Sequence, residues 1–129
     1  MENTKLNRRE QREEIIKRLY GMDINRDFSE VESEYEFIEE TLDGISMHLD
    51  KVDEIISNNL KNWRISRLTY VDRAIMRCAV YEMYYTKTPT EIIINEALNI
   101  TRKYSDEGDN KMVGFMNSVL DNIKKYLKK

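Results

Sequence analysis

The stretch Pro89-Thr-Glu-Ile-Ile-Ile-Asn-Glu-Ala-Leu-Asn-Ile100 decides the fold. Three consecutive isoleucines favour a buried strand on propensity alone. The residues in front of them point elsewhere. Thr88-Pro89-Thr90-Glu91 has the form of a capping box with proline at the first helical position, where its missing N–H costs nothing and its fixed φ suits a helix. Ile93, Ala97, Ile100 and Tyr104 then recur at helical spacing, with Ile94 and Leu98 alongside. The isoleucines therefore read as the first turns of a helix.

The same period recurs in both directions from that stretch. Upstream, Asn7-Arg-Arg-Glu10 forms a second capping-box pattern, followed by Ile15, Ile16, Leu19 and Tyr20 on one face, with Gly21 near the helix end. Arg8, Arg9 and Arg12 are expected on the side away from that face. Tyr35, Ile38, Leu42, Ile45 and Leu49 mark an amphipathic helix that Gly44 weakens. Asp50 is a candidate cap for the next, which points Val52, Ile55, Ile56 and Leu60 inward. Thr69 to Asp72 offers a further cap, and the segment behind it, through Ala74, Ile75, Cys78, Ala79 and Met83, is apolar around much of its circumference and belongs at the centre. Downstream, Met112, Phe115, Met116, Val119, Leu120, Ile123 and Leu127 form a last helix ending in lysines that complement its dipole. With four glycines and one proline among 129 residues, the turn punctuation of a β protein is missing. The expected fold is all-α, a single domain over residues 1–129 built as a bundle of about six or seven helices.

Composition narrows the function. The single cysteine, Cys78, excludes an internal disulfide, and with one histidine, His48, the chain lacks the ligand cluster of a structural zinc site. No apolar run approaches a membrane span or a secretory signal, so no membrane association and a cytoplasmic setting are expected. There is no glycine-rich phosphate loop, no His-Glu-x-x-His pair and no nucleophile with a base beside it, so an enzyme is not expected, nor any cofactor or metal. His48 reads as a partly exposed helix residue and Cys78 as a small core residue.

Charge is segregated along the chain. Residues 1–20 carry a balance of +2, residues 21–60 of −10 and residues 61–129 of +5. One reading is solvated helix faces; the other is a basic surface that meets phosphate on an otherwise acidic body. Arg77, within an apolar helix, and Glu96, which interrupts another, suggest a structural salt bridge, because a buried charge needs a partner. The arginines of the first helix oppose its dipole, so they do not serve helix stability, and an anionic partner is one explanation. Arginine grips phosphate bidentately, and Tyr20 or Phe115 could stack on unpaired bases, a combination suited to single-stranded RNA.

Four stretches carry a resemblance to a known family. They are Arg8-Arg9 to Arg12 with Leu19-Tyr20; Val71-Asp-Arg-Ala-Ile-Met-Arg-Cys-Ala-Val-Tyr-Glu82; Pro89 with Ile94-Asn-Glu-Ala97; and Phe115-Met-Asn-Ser-Val-Leu-Asp121. In this order and spacing the chain resembles the NusB family of transcription antitermination factors. The resemblance implies a non-catalytic protein that pairs with the small-subunit ribosomal protein NusE. It implies that the pair binds boxA-type single-stranded RNA of nascent ribosomal RNA transcripts, within an RNA polymerase antitermination complex that reads through terminators. It places RNA contacts at Arg8, Arg9, Arg12, Lys111 and Phe115, and partner contacts at Tyr20 and Asp72. Departures from the pattern are Glu10 among the arginines, Glu14, the long 105–114 loop and Ser118 in place of a usual glycine. The alternative reading keeps the fold as a protein-interaction module without RNA binding.

Overall fold

The computed structural model describes residues 5–129, and among them every regular element is helical. Helix α1 spans Arg8–Asn25. Its start is the expected capping box: Glu10 N–H donates to Asn7 Oδ1 at 2.8 Å, and Asn7 N–H donates to Glu10 Oε1 at 2.9 Å. The helix runs past Gly21 and ends where Arg26 turns left-handed, its N–H returning to the Asp23 and Met22 carbonyls.

Helices α2 (Glu36–Met47) and α3 (Leu49–Asn58) replace the expected boundary at Asp50. The break falls on His48, whose ring stacks on Tyr85 at 4.4 Å between centroids. Asp50 lies inside the first turn of α3 and caps nothing with its side chain. After a 3-10 turn at Ile65–Arg67 comes α4 (Tyr70–Tyr85), capped by Thr69, whose hydroxyl accepts from Asp72 N–H. Every other helix packs on α4. That position is why its sequence is apolar nearly all round, with Ala74, Ile75, Met76, Cys78, Ala79, Val80 and Met83 buried.

The opening stretch is helical, as α5 (Thr90–Tyr104). Its start differs from the expected box: Pro89 is the cap residue, no side chain closes the box, and the Pro89 carbonyl accepts from Ile92 and Ile93 N–H. Thr86 explains the difference, because its hydroxyl bonds to both the Glu82 carbonyl and Thr88 Oγ1. Of the three isoleucines Ile93 is buried, Ile94 half-buried and Ile92 exposed, the pattern of a helix edge. Helix α6 (Lys111–Leu127) closes the chain. The loop before it is organised by Asp106, whose carboxylate accepts from Gly108 and Asn110 N–H. Cross-links fix the directions of the helices. Arg12 meets Glu82 while Asp23 meets Arg73, so α1 and α4 are antiparallel. Arg9 meets Glu96 while Glu13 meets Lys103, so α1 and α5 run the same way.

Candidate nucleic-acid interface

The capping box sets where the arginines of α1 leave the helix. Arg8 is exposed and lays its guanidinium 3.9 Å above the Phe37 ring centroid, a cation–π contact that holds the side chain without neutralising it. Arg9 is also exposed, but it forks onto Glu96: Nε and Nη2 donate to the two carboxylate oxygens at 2.9 and 3.0 Å. The hydrogen bond to Arg9 holds the Glu96 carboxyl below the usual glutamate range, and Glu96 in turn raises the Arg9 guanidinium. Arg8, Arg9, Phe37, Ile92 and Glu96 border an open groove of about 760 Å³, and Arg12, its guanidinium 5.5 Å from the Phe37 ring centroid, lies at its base.

Arg12 departs from the expectation that it shares this solvent face. Its Nε and Nη2 donate to Glu82 at 2.8 and 2.9 Å, and the two side chains are 7% and 1% exposed. Burial is the strongest single influence and opposes its charge, but the hydrogen bond to Glu82 and the attraction of that carboxylate together outweigh it, so the guanidinium is raised. The stripe explains the placement: Arg12 lies three, four and seven residues before Ile15, Ile16 and Leu19, on the core face itself. Glu82 stands four residues after buried Cys78 on α4, facing it. The Cys78 thiol, 3.9 Å from Glu82, is pushed well up by burial first and that carboxylate second, so it stays protonated.

The expected Arg77–Glu96 pair does not form. Arg77 forks onto Asp53, both bonds at 2.8 Å, and reaches Asp23 at 3.2 Å. Asp23 also accepts from Arg73 Nε at 2.7 Å, so two arginines of α4 pin the end of α1 and α3. Glu96 is taken by Arg9. Periodicity placed Arg77 and Glu96 on helices but carried no information on which faces meet.

Farther along α1, Glu13 accepts from Lys103 Nζ at 3.0 Å and Tyr104 Oη at 2.9 Å. Tyr20, 40% exposed, packs edge-on against Tyr70 with centroids 6.0 Å apart. Asp72 is 2% exposed; its oxygens accept from the Ser105 hydroxyl at 2.6 Å and the Thr69 hydroxyl at 2.9 Å. This burial corrects the expectation of a partner-facing carboxylate, since both oxygens are already engaged in tying α4 to the end of α5. Lys111 is exposed at the start of α6, and Phe115, one turn on, is half-buried with its ring 6.2 Å from that of Trp63. Phe115 stands by the start of α4 and the arginines by its end, roughly 22 Å away along that helix at about 1.5 Å per residue. Glu10, the acid among the arginines, is engaged in the cap. Phe37 and Glu82 are the residues that sequence reasoning passed over, and Glu96, singled out as a partner for Arg77, pairs with Arg9 instead; a lone carboxylate on an apolar stripe was the available signal for Glu82.

Fold and surface together define a class: an all-α bundle whose polar groups are arranged for contact, with arginines displayed from a capped helix start. The NusB family profile matches residues 2–125, and the chain belongs to that family. It is 41% identical to the transcription antitermination protein NusB of Clostridium botulinum, over 93% of this chain and 99% of that one. It is 44% identical to the protein of the same name from Staphylococcus aureus, over 71% of this chain and 69% of the other. Among solved structures, Thermotoga maritima NusB superposes with a TM-score of 0.80 at 32% identity, covering 95% of this chain and 93% of that one. A chain in the crystal structure of a plectonemic RNA supercoil superposes at 0.81 with 26% identity, over 95% of this chain and 96% of that one.

Proposed function

We propose that this chain, acting as one unit over residues 1–129, is a cytoplasmic transcription antitermination factor. In this reading it binds boxA-type single-stranded RNA of nascent ribosomal RNA transcripts jointly with a NusE-type ribosomal protein, inside an antitermination complex with RNA polymerase. No bond is made or broken; the work is assembly. The observation that carries the reading is the capped start of α1, which presents Arg8 on Phe37 and Arg9 beside it to solvent, above the buried Arg12. A family whose relatives bear the name of antitermination proteins supports it. Among the described residues no helix is long and apolar enough to cross a membrane.

In this reading the residues take the following roles. Arg8 and Arg9 position phosphates, with Arg9 exchanging the Glu96 carboxylate for a phosphate oxygen. Lys111 and Phe115 receive the strand at the other end of α4, the aromatic ring taking an unstacked base. Arg12 holds α1 against α4 and touches no RNA. Tyr20, exposed on Tyr70, belongs to the partner face, and Asp72 supports that face from within. The test is binding of a boxA-like RNA against a scrambled one, with and without the NusE-type partner, at two salt concentrations, for wild type and Arg8→Ala/Arg9→Ala. Selective, partner-enhanced, salt-sensitive binding that falls in the double variant is expected. Absence of selective binding in every arm overturns the reading and leaves a protein-contact module, the alternative that the pairing of Arg9 with Glu96 favours.

A further inference from the structure

The link between α3 and α4 has a composition unlike its surroundings. From residue 55 to residue 71 the chain holds Lys61, Arg64 and Arg67 and no acid, directly after the most acidic part of the sequence. All three cations are exposed, and none of them enters an ion pair among the described residues. Between them stands Trp63, the chain's single tryptophan, 52% exposed. The indole is not part of the buried core cluster, and it lies open beside cations that have no ion-pair partner among the described residues.

Trp63 and Arg67 form a partition between two depressions. On one side lies a polar groove completed by Asn62, Arg64 and Ser66. On the other lies a largely apolar slot of about 290 Å³ walled by Leu68, Thr69, Met112 and Phe115, with Asp72, whose oxygens are engaged by Ser105 and Thr69, also on its wall. A nucleotide has the same division, an anionic sugar-phosphate and a planar apolar base. The Trp63 and Phe115 rings already pack at 6.2 Å and 60°, so no base enters between them; Phe115 props the indole and leaves its outer face free for stacking.

We propose that Trp63 and Arg67 form a nucleotide-binding corner in which an unstacked RNA base stacks on the Trp63 indole while Arg67, with Arg64, holds the adjoining phosphate. The inference rests on the RNA-binding reading above and extends it from α1 and α6 to the α3–α4 link. Charge complementarity decides the occupant: three free cations around one aromatic suit a polyanion with exposed π faces, where an apolar protein side chain would use the indole and leave the cations unmatched.

The single tryptophan supplies a site-specific readout. Protein labelled with 5-fluorotryptophan gives one fluorine resonance from this position, and binding is followed separately by anisotropy of a labelled boxA-like single-stranded RNA, with and without the NusE-type partner. The resonance is expected to move in step with anisotropy. Trp63→Ala is expected to bind roughly tenfold more weakly, with Trp63→Phe recovering most of the loss. Arg67→Ala should reduce the slope of log affinity against log salt by about 1. Thermal unfolding of each variant checks that the exposed substitutions leave the fold intact. RNA binding that depends on Arg8 and Arg9 but leaves the resonance unmoved and Trp63→Ala unaffected overturns this inference and spares the proposed function. A resonance that moves with the partner alone and not further with RNA assigns the corner to a protein contact and also overturns it. Loss of RNA binding in every arm removes both.

Discussion

At the scale of single residues, the three arginines of α1 have three different chemistries. Arg12 and Glu82 form a buried, bidentate pair, and removing one partner strands the other's charge out of water. Glu82→Ala is therefore expected to cost about 3–5 kcal/mol in urea unfolding, whereas Arg12→Met with Glu82→Leu should recover much of that loss. Arg8→Ala should leave stability within about 0.5 kcal/mol, since the side chain is exposed. An alanine scan of all three arginines read only by RNA binding would confuse unfolding with lost contact. Arg9 and Glu96 lie between these extremes. The Glu96 carboxyl is held below its ordinary range by Arg9, so its contribution to stability is complete above the unfolded value and disappears as pH falls through the lower folded value. Wild type should thus exceed Glu96→Gln in stability at neutral pH and converge with it in acid below the usual glutamate range. Urea midpoints for both across that range test the sign; a difference that grows toward acid would contradict it.

At the scale of helices, periodicity was sufficient for existence and type, and local chemistry for two of the starts. The capping box at Asn7 and the cap at Thr69 appear where the residues require them. The isoleucine run is helical because Pro89 and the spacing of Ile93, Ala97 and Ile100 outweigh β-propensity. Of the helix boundaries that differ, one does so for a tertiary reason and one for a local one: His48 breaks α2 from α3 while stacked on Tyr85, far along the chain, whereas Thr86 engages Thr88, only two residues on, at the start of α5. The first partner is invisible to a local reading; the second is a competing local hydrogen bond. Gly44 shows the same limit. Read as a weakness in α2, it is instead the space into which Tyr81 packs, so that a Cβ there would collide with the end of the phenol ring. Tyr81 is stacked on Tyr85 and cannot swing away freely. Gly44→Ala is accordingly expected to lower stability by about 1–3 kcal/mol despite alanine's better helix propensity. In a Tyr81→Ala background the same change should become stabilising by roughly 0.5–1 kcal/mol, because only the backbone term remains. Thermal or urea unfolding of the four proteins closes the cycle, and equal effects in both backgrounds would show that Tyr81 is not the cause.

At the scale of the whole molecule, charge is arranged so that a chain with a net charge of −3 can still approach a polyanion. Some acids are paired internally, Glu82 with Arg12, Asp23 with Arg73 and Arg77, Asp53 with Arg77 and Glu13 with Lys103, and each pairing also takes up a cation, so what matters for a polyanion is where the unpaired cations lie. Arg8 and the basic α3–α4 link remain outside those pairs. This part of the site was only half legible, because the chain showed where cations lie but not which of them are neutralised, and that depends on helix faces meeting across dozens of residues. The arrangement makes a prediction about salt. If net charge governed the encounter with RNA, screening would relieve repulsion and added salt would strengthen binding. If local contacts govern, each neutralised phosphate releases counterions and binding weakens, with a log–log slope of about −0.7 per contact for a single strand. Three or four contacts, from Arg8, Arg9, Lys111 and the link, then give a slope between roughly −2 and −3 for this chain alone. A basic partner that adds its own contacts should steepen that slope while raising affinity at every salt concentration. A flat or rising dependence for the chain alone would mean that the acidic body dominates and that RNA recognition belongs to the partner.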